Sequence, residues 1–112
     1  MTRPHQLGAF QQLAMLAVLR LGDEATGSTL QEELETEAGR RVTISTIYVT
    51  LDRLEGKGLV RSWLGSSTPV RGGKARRFYE VTPAGARALR ESRAALDRMW
   101  AGVESHPLVE GR

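Results

Sequence analysis

The side chains in this chain best equipped to do chemistry are cations, and their spacing is uneven. Between Gly56 and Tyr79 lie Lys57, Arg61, Arg71, Lys74, Arg76 and Arg77, with no Asp or Glu among them. So one-sided a segment suits a polyanionic partner, although charged surfaces are common and a solvated basic loop is the plainer reading. Upstream, Ser45, Thr46, Val49, Thr50 and Arg53 recur at helical spacing, and no acid stands among them. Short polar groups, one methyl-bearing patch and one guanidinium let a helix backbone come close to base edges. Thr and Val are poor choices for an exposed helix face unless that face touches something.

Other chemistries find less support. His5 and His106 sit near opposite ends without ligand spacing, so no metal site is expected. Without Cys, thiolate nucleophiles, thiolate metal sites and disulfides are excluded. Gly72-Gly73-Lys74-Ala75 resembles a phosphate loop only superficially: Ala75 replaces the Ser/Thr and Thr68 the first Gly. Glu32, Glu33, Glu35 and Glu37 crowd one helix without a pocket. Neither an enzyme nor a cofactor is expected.

The 112 residues and 40% hydrophobic content suit one small domain. The formal charge is +3, but it is distributed unequally: net −4 over residues 1–39, +6 over 40–80 and +1 over 81–112. The longest apolar run, Leu13 to Leu19, is too short to span a bilayer, and the start lacks a small-residue cleavage site, so a cytoplasmic protein is expected.

Periodicity supplies the elements that must position these groups. Leu7 to Leu21 reads as a helix apolar nearly all round, which implies burial on more than one side, the second surface being another subunit. Thr26 to Ala38 reads as a second helix, capped by Thr26, Ser28 or Thr29 and stopped at Gly39. Thr43 to Lys57 is the third, with Ile44, Ile47, Leu51 and Leu54 facing a core and Gly58 ending it in left-handed conformation. Strands are expected at Leu59–Leu64 and Arg76–Val81, joined by a long basic loop. Thr82-Pro83 opens a fourth helix running to about Glu104, whose Gly85, Leu89, Ser92, Leu96, Met99 and Val103 form a heptad seam. The tail from Ser105 is expected to fray.

The fold class is therefore mainly α with a small β-hairpin. The order α-α-α-β-β-α, with a short turn between the second and third helices, is that of a winged helix-turn-helix with a long C-terminal dimerisation helix. Residues 1–82 form the winged unit and residues 83–112 the dimerisation helix and tail.

Thr46-Ile47-Tyr48-Val49-Thr50-Leu51-Asp52-Arg53-Leu54-Glu55-Gly56-Lys57-Gly58-Leu59-Val60 closely resembles the recognition-helix signature of PadR-like transcriptional regulators. Arg76-Arg77-Phe78-Tyr79-Glu80-Val81-Thr82-Pro83-Ala84-Gly85 is similar to that family's wing return, and Leu7-Gly8-Ala9-Phe10 to the start of its first helix. The resemblance spans residues 7–104 and implies the short branch of the family: a homodimer that binds near-palindromic double-stranded DNA and usually represses, its last helix swapped onto the partner's first. One departure stands. Gly27 is followed by Ser28 where many members carry an aromatic, so a contact made there by Tyr is absent or weaker.

Together these readings give the expected sites. The DNA-binding residues are Thr43, Ser45, Thr46, Tyr48, Val49, Thr50, Arg53, Arg71, Lys74, Arg76 and Arg77; Tyr48 is either a half-buried core aromatic, a phosphate contact, or both. The dimer interface is Leu13, Leu16, Leu89, Leu96, Met99 and Val103. Trp100 is read as interface packing, while the family resemblance also implies a small hydrophobic effector in a pocket of Phe10, Ala14, Met15, Met99 and Trp100. Trp63 is expected to support the wing against the core. The competing reading is a winged-helix protein-interaction module that does not read DNA.

Overall fold

The computed structural model describes residues 6–65 and 75–111. The elements run α1 (Ala9–Leu21), a 3-10 turn (Gly22–Glu24), α2 (Gly27–Ala38), α3 (Ile44–Gly56), β1 (Val60–Leu64), β2 (Arg77–Val81), α4 (Pro83–Trp100) and α5 (Pro107–Glu110). This is the expected winged helix-turn-helix order.

Local chemistry sets most boundaries. Thr26 Oγ1 accepts from the Thr29 N–H, Thr43 Oγ1 from Thr46 N–H and Thr82 Oγ1 from Gly85 N–H, each capping the helix that follows. The first helix begins two residues later than expected, with Gly8 as its N-cap. Gly39 (φ 63°) ends α2 in left-handed conformation, as expected. Gly58 (φ 76°) turns the chain from α3 into β1.

β1 and β2 pair antiparallel, Val60 opposite Val81 and Leu64 opposite Arg77. The Arg61–Glu80 ion pair and the Trp63–Phe78 stack, ring centroids 6.1 Å apart, lie on one face of the hairpin. A third backbone segment joins it: Tyr79 N–H donates to Ala25 O (3.0 Å) and Thr26 bridges to Phe78. The stretch between α1 and α2 thus anchors the wing, which an isolated hairpin requires.

Met15 and Val18 of α1, Leu30 and Leu34 of α2, and Ile47, Leu51 and Leu54 of α3 close the core with Leu59, Val60, Tyr79, Ala88 and Leu89. Fully burying each large aliphatic side chain contributes roughly 1.5–3 kcal/mol. The first turn of α4 lies directly on the wing root. A Cβ at Gly85 would run into the Leu59 carbonyl and come within 2.9 Å of Val81 Cγ1.

Two expectations for the C-terminal region are corrected. The fourth helix stops at Trp100, not near Glu104, because Gly102 takes φ 86° and breaks the helical path. Val103 therefore lies beyond the helix and does not extend its seam. The tail is not simply frayed: Pro107–Glu110 makes a single turn, with His106 Nδ1 accepting from Leu108 N–H at 3.1 Å.

Candidate nucleic-acid interface

α3 separates its two faces cleanly. Ile47, Leu51 and Leu54 point inward and are fully buried. Ser45, Thr46, Val49 and Arg53 are exposed, with Thr50 half-buried beside them. Thr43 Oγ1 donates to Thr46 Oγ1 at 3.0 Å and accepts from its N–H at 3.1 Å, so the first turn is rigid before any partner arrives. Arg53 makes no ion pair among the described residues, which leaves its donors available. The helix thus presents an ordered outer face with one unpaired guanidinium.

Tyr48 stands at the edge of this face and is 39% exposed. Its ring leans towards Tyr79, centroids 6.4 Å apart, while its hydroxyl reaches over the start of α2. A Cβ at Gly27 would fall 2.6 Å from Tyr48 Oη, so glycine makes this placement possible. The amides of Gly27 and Ser28 belong to the first turn of α2 and have no intrahelical acceptor. Thr26, Gly27, Ser28, Ile44, Tyr48, Asp52, Leu64, Ala75, Arg76, Arg77 and Tyr79 line one open cleft, where the start of α2, the side of α3 and the root of the wing meet. Helix N-termini favour anions through their free amides and dipole.

Tyr79 closes the floor of that cleft. It is 1% exposed, and its hydroxyl has no hydrogen-bond partner among the described residues. Burial, reinforced by Tyr48 and then Asp52, pushes the phenol from 10.0 up to about 12.

The wing cations divide by environment. Arg76 is exposed and makes no ion pair with a described residue. Arg77 is also exposed, but its Nη1 donates to Ser62 Oγ at 2.9 Å. Arg61 pairs with Glu80. Arg71 and Lys74 lie outside the described residues.

The residues expected at a dimer interface are placed unequally. Leu16, Leu96, Met99 and Val103 are exposed; Met99 reaches 77%. Leu13 is partly buried against its own core, and Leu89, at 8% exposure, belongs to that core within the protomer. The helical period turns Leu89 inward because α4 lies on the wing root at Gly85 and Ala88. Of the expected effector pocket, Ala14 and Met15 face inward and are closed off within the protomer, while Met99 and Trp100 are exposed and Phe10 is half-buried. The structure also places Leu19, Leu108 and Val109 on the surface, apolar positions the sequence reading did not single out. The sequence reading located the start of α2 but did not count the free amides of Gly27 and Ser28 among the site groups, although the Thr26 cap already implied them.

Comparison with known proteins accords with this geometry. Residues 15–91 match the model of the transcriptional regulator PadR-like family. The chain is 44% identical over 92 residues to the transcriptional regulator Rv3488 of Mycobacterium tuberculosis, covering 80% of this chain and 81% of that protein. Its fold is similar to the crystal structure of a PadR-family transcriptional regulator from Eggerthella lenta, with TM-score 0.64, 33% identity, and 82% and 78% of the two chains covered. It is also similar in fold to Bacillus subtilis PadR, whose structure is in complex with operator DNA, with TM-score 0.61, 21% identity, and 75% and 47% covered. Among the described residues no helix is long and apolar enough to cross a membrane. The matched span takes in the recognition helix, the described part of the wing and the core-packed start of α4, and on that basis the chain belongs to the PadR-like family of transcriptional regulators.

Proposed function

We propose that this protein binds double-stranded DNA sequence-specifically as a homodimer and acts as a repressor at a near-palindromic operator. The observation that carries the reading is the outer face of α3, free of acid at Ser45, Thr46, Val49, Thr50 and Arg53, with its first turn capped by Thr43. Such a helix fits a major groove about 12 Å wide. Arg53 reads base edges, and Tyr48, the start of α2 and Arg76 meet phosphates on either side. That the similarly folded Bacillus subtilis PadR is found in complex with operator DNA supports a DNA-binding role for this fold.

Residues 1–82 supply the DNA-binding unit and residues 83–112 the dimerisation helix and tail, with the first turns of α4 also helping to close the core. The distal part of α4 leaves Leu96, Met99 and Trp100 uncovered, and Leu16 and Leu19 are exposed on α1. Two copies covering these faces for each other would bury apolar surface that a lone protomer leaves in water. A small flat hydrophobic effector would sit between the copies against Phe10, Met99 and Trp100 and alter the spacing of the two recognition helices.

Binding of labelled promoter DNA and of scrambled DNA, followed by fluorescence anisotropy at stepped salt, tests the reading. A clear preference for the promoter, a palindromic footprint and a log K that falls by about 0.9 per phosphate contact per log unit of salt are expected. Equal, weak binding to both DNAs would favour the protein-interaction alternative.

A further inference from the structure

Arg77 belongs to the basic cluster, yet its surroundings differ from those of its neighbour Arg76. Glu55, in the last turn of α3, accepts from Ser62 N–H at 3.1 Å through Oε2 and from Ser62 Oγ at 2.8 Å through Oε1. Ser62 Oγ in turn accepts from Arg77 Nη1 at 2.9 Å. One hydroxyl thus donates to a carboxylate and accepts from a guanidinium, using its proton and a lone pair at once. The chain runs from the recognition helix through β1 to the first residue of β2, where the wing returns from its loop. Ser62 pairs in register with Tyr79 and Leu64 with Arg77, so the guanidinium crosses diagonally along one face of the hairpin.

We propose that Arg77 is a positioning residue: with Ser62 and Glu55 it sets the angle of the wing against the recognition helix, and it does not itself neutralise a phosphate. The proposal rests on the DNA-binding reading above. Beyond its anchor at Ala25 and Thr26 the hairpin keeps freedom to tilt against α3, and a partner that must touch groove and flanking backbone together selects few of those tilts. A charge-assisted chain through Ser62 removes that freedom before binding. It also engages the Glu55 carboxylate with Ser62 beside the face of α3 that presents Arg53.

The reasoning separates from simple electrostatics by sign. Glu55→Gln removes a negative charge near DNA, which on charge alone strengthens binding. Loss of positioning predicts the opposite, an affinity about three- to tenfold lower. Arg77→Gln should lower affinity by a similar factor with the salt slope unchanged, whereas Arg76→Gln should flatten the slope by about 0.9 per lost phosphate contact. The Glu55→Gln/Arg77→Gln pair should lose no more than either single variant, because both break one chain. Ser62→Ala provides a third route to the same loss, and thermal melting of each variant verifies that the fold persists. A flatter slope for Arg77→Gln, tighter binding by Glu55→Gln or additive losses would overturn the proposal. A wild-type protein that ignores duplex DNA would instead refute the functional reading beneath it.

Discussion

Gly27→Ala is the most informative single change at the cleft. A Cβ at that position would stand 2.6 Å from Tyr48 Oη, 2.9 Å from Cζ and 3.1 Å from Cε1, with no other atom nearer than these. Ordinary carbon contacts lie at about 3.5–4 Å, so the phenol tip must retreat by about 1 Å. It can do so by side-chain rotation because Tyr48 borders solvent, at an off-rotamer cost of about 0.5–1.5 kcal/mol. Against that, Ala for Gly at a helical position whose backbone it tolerates contributes about 0.4–1 kcal/mol by restricting the unfolded chain. The two nearly cancel, and the melting temperature should move by only a few degrees. The consequence for DNA is larger. A hydrogen bond to a charged group is worth about 1.5–3 kcal/mol, so losing the Tyr48 hydroxyl contact lowers affinity at least about tenfold. Anisotropy titrations of the wild type, Gly27→Ala, Tyr48→Phe and the double variant make the test. Similar losses in the two single variants and no further loss in the double are expected. Wild-type affinity in Gly27→Ala, or a collapse of its melting temperature, would refute the argument.

Three other outcomes follow from the same geometry. Arg53→Ala should reduce the preference for promoter over scrambled DNA by about 1–3 kcal/mol, whereas an equal loss on both would count against a base contact. Leu96→Asp alters a side chain that the protomer leaves exposed, so the fold should survive while the dimer dissociates; because a two-fold interface carries the change twice, analytical ultracentrifugation should show monomers at micromolar concentration. Tyr79→Phe removes a buried hydroxyl that has no partner among the described residues and should raise the unfolding free energy by about 1 kcal/mol in denaturant titrations. The same variant has a pH signature. Folding raises the Tyr79 pKa from 10.0 to about 12, so its contribution to stability is complete below pH 10 and is lost as pH climbs towards 12. Tyr79→Phe should flatten that alkaline decline, and an unchanged pH profile would contradict the shift.

The correctable errors show where sequence stops being informative. Thr26, Thr43 and Thr82 identified three helix starts because a cap is an interaction across three residues. The end of the fourth helix was equally local, and Gly102 two places past Trp100 was its signal. Leu89 was a different matter. Its periodicity identified an apolar face, but not whether its own core or a second copy would cover it. That depended on how closely Gly85 lets α4 approach the Leu59 carbonyl.

The sequence alone therefore determined the order of elements, the inward face of α3, its acid-free outer face and the capped helix starts, because each depends on residues within a turn or two of one another. Tertiary structure decided that Tyr48 lies over Gly27, that Ala25 and Thr26 pair with the wing, and that Arg77 is tied through Ser62 to Glu55. These are meetings between residues from 7 to 54 positions apart, whose partners emerge only once the core has set the relative placement of helices and hairpin.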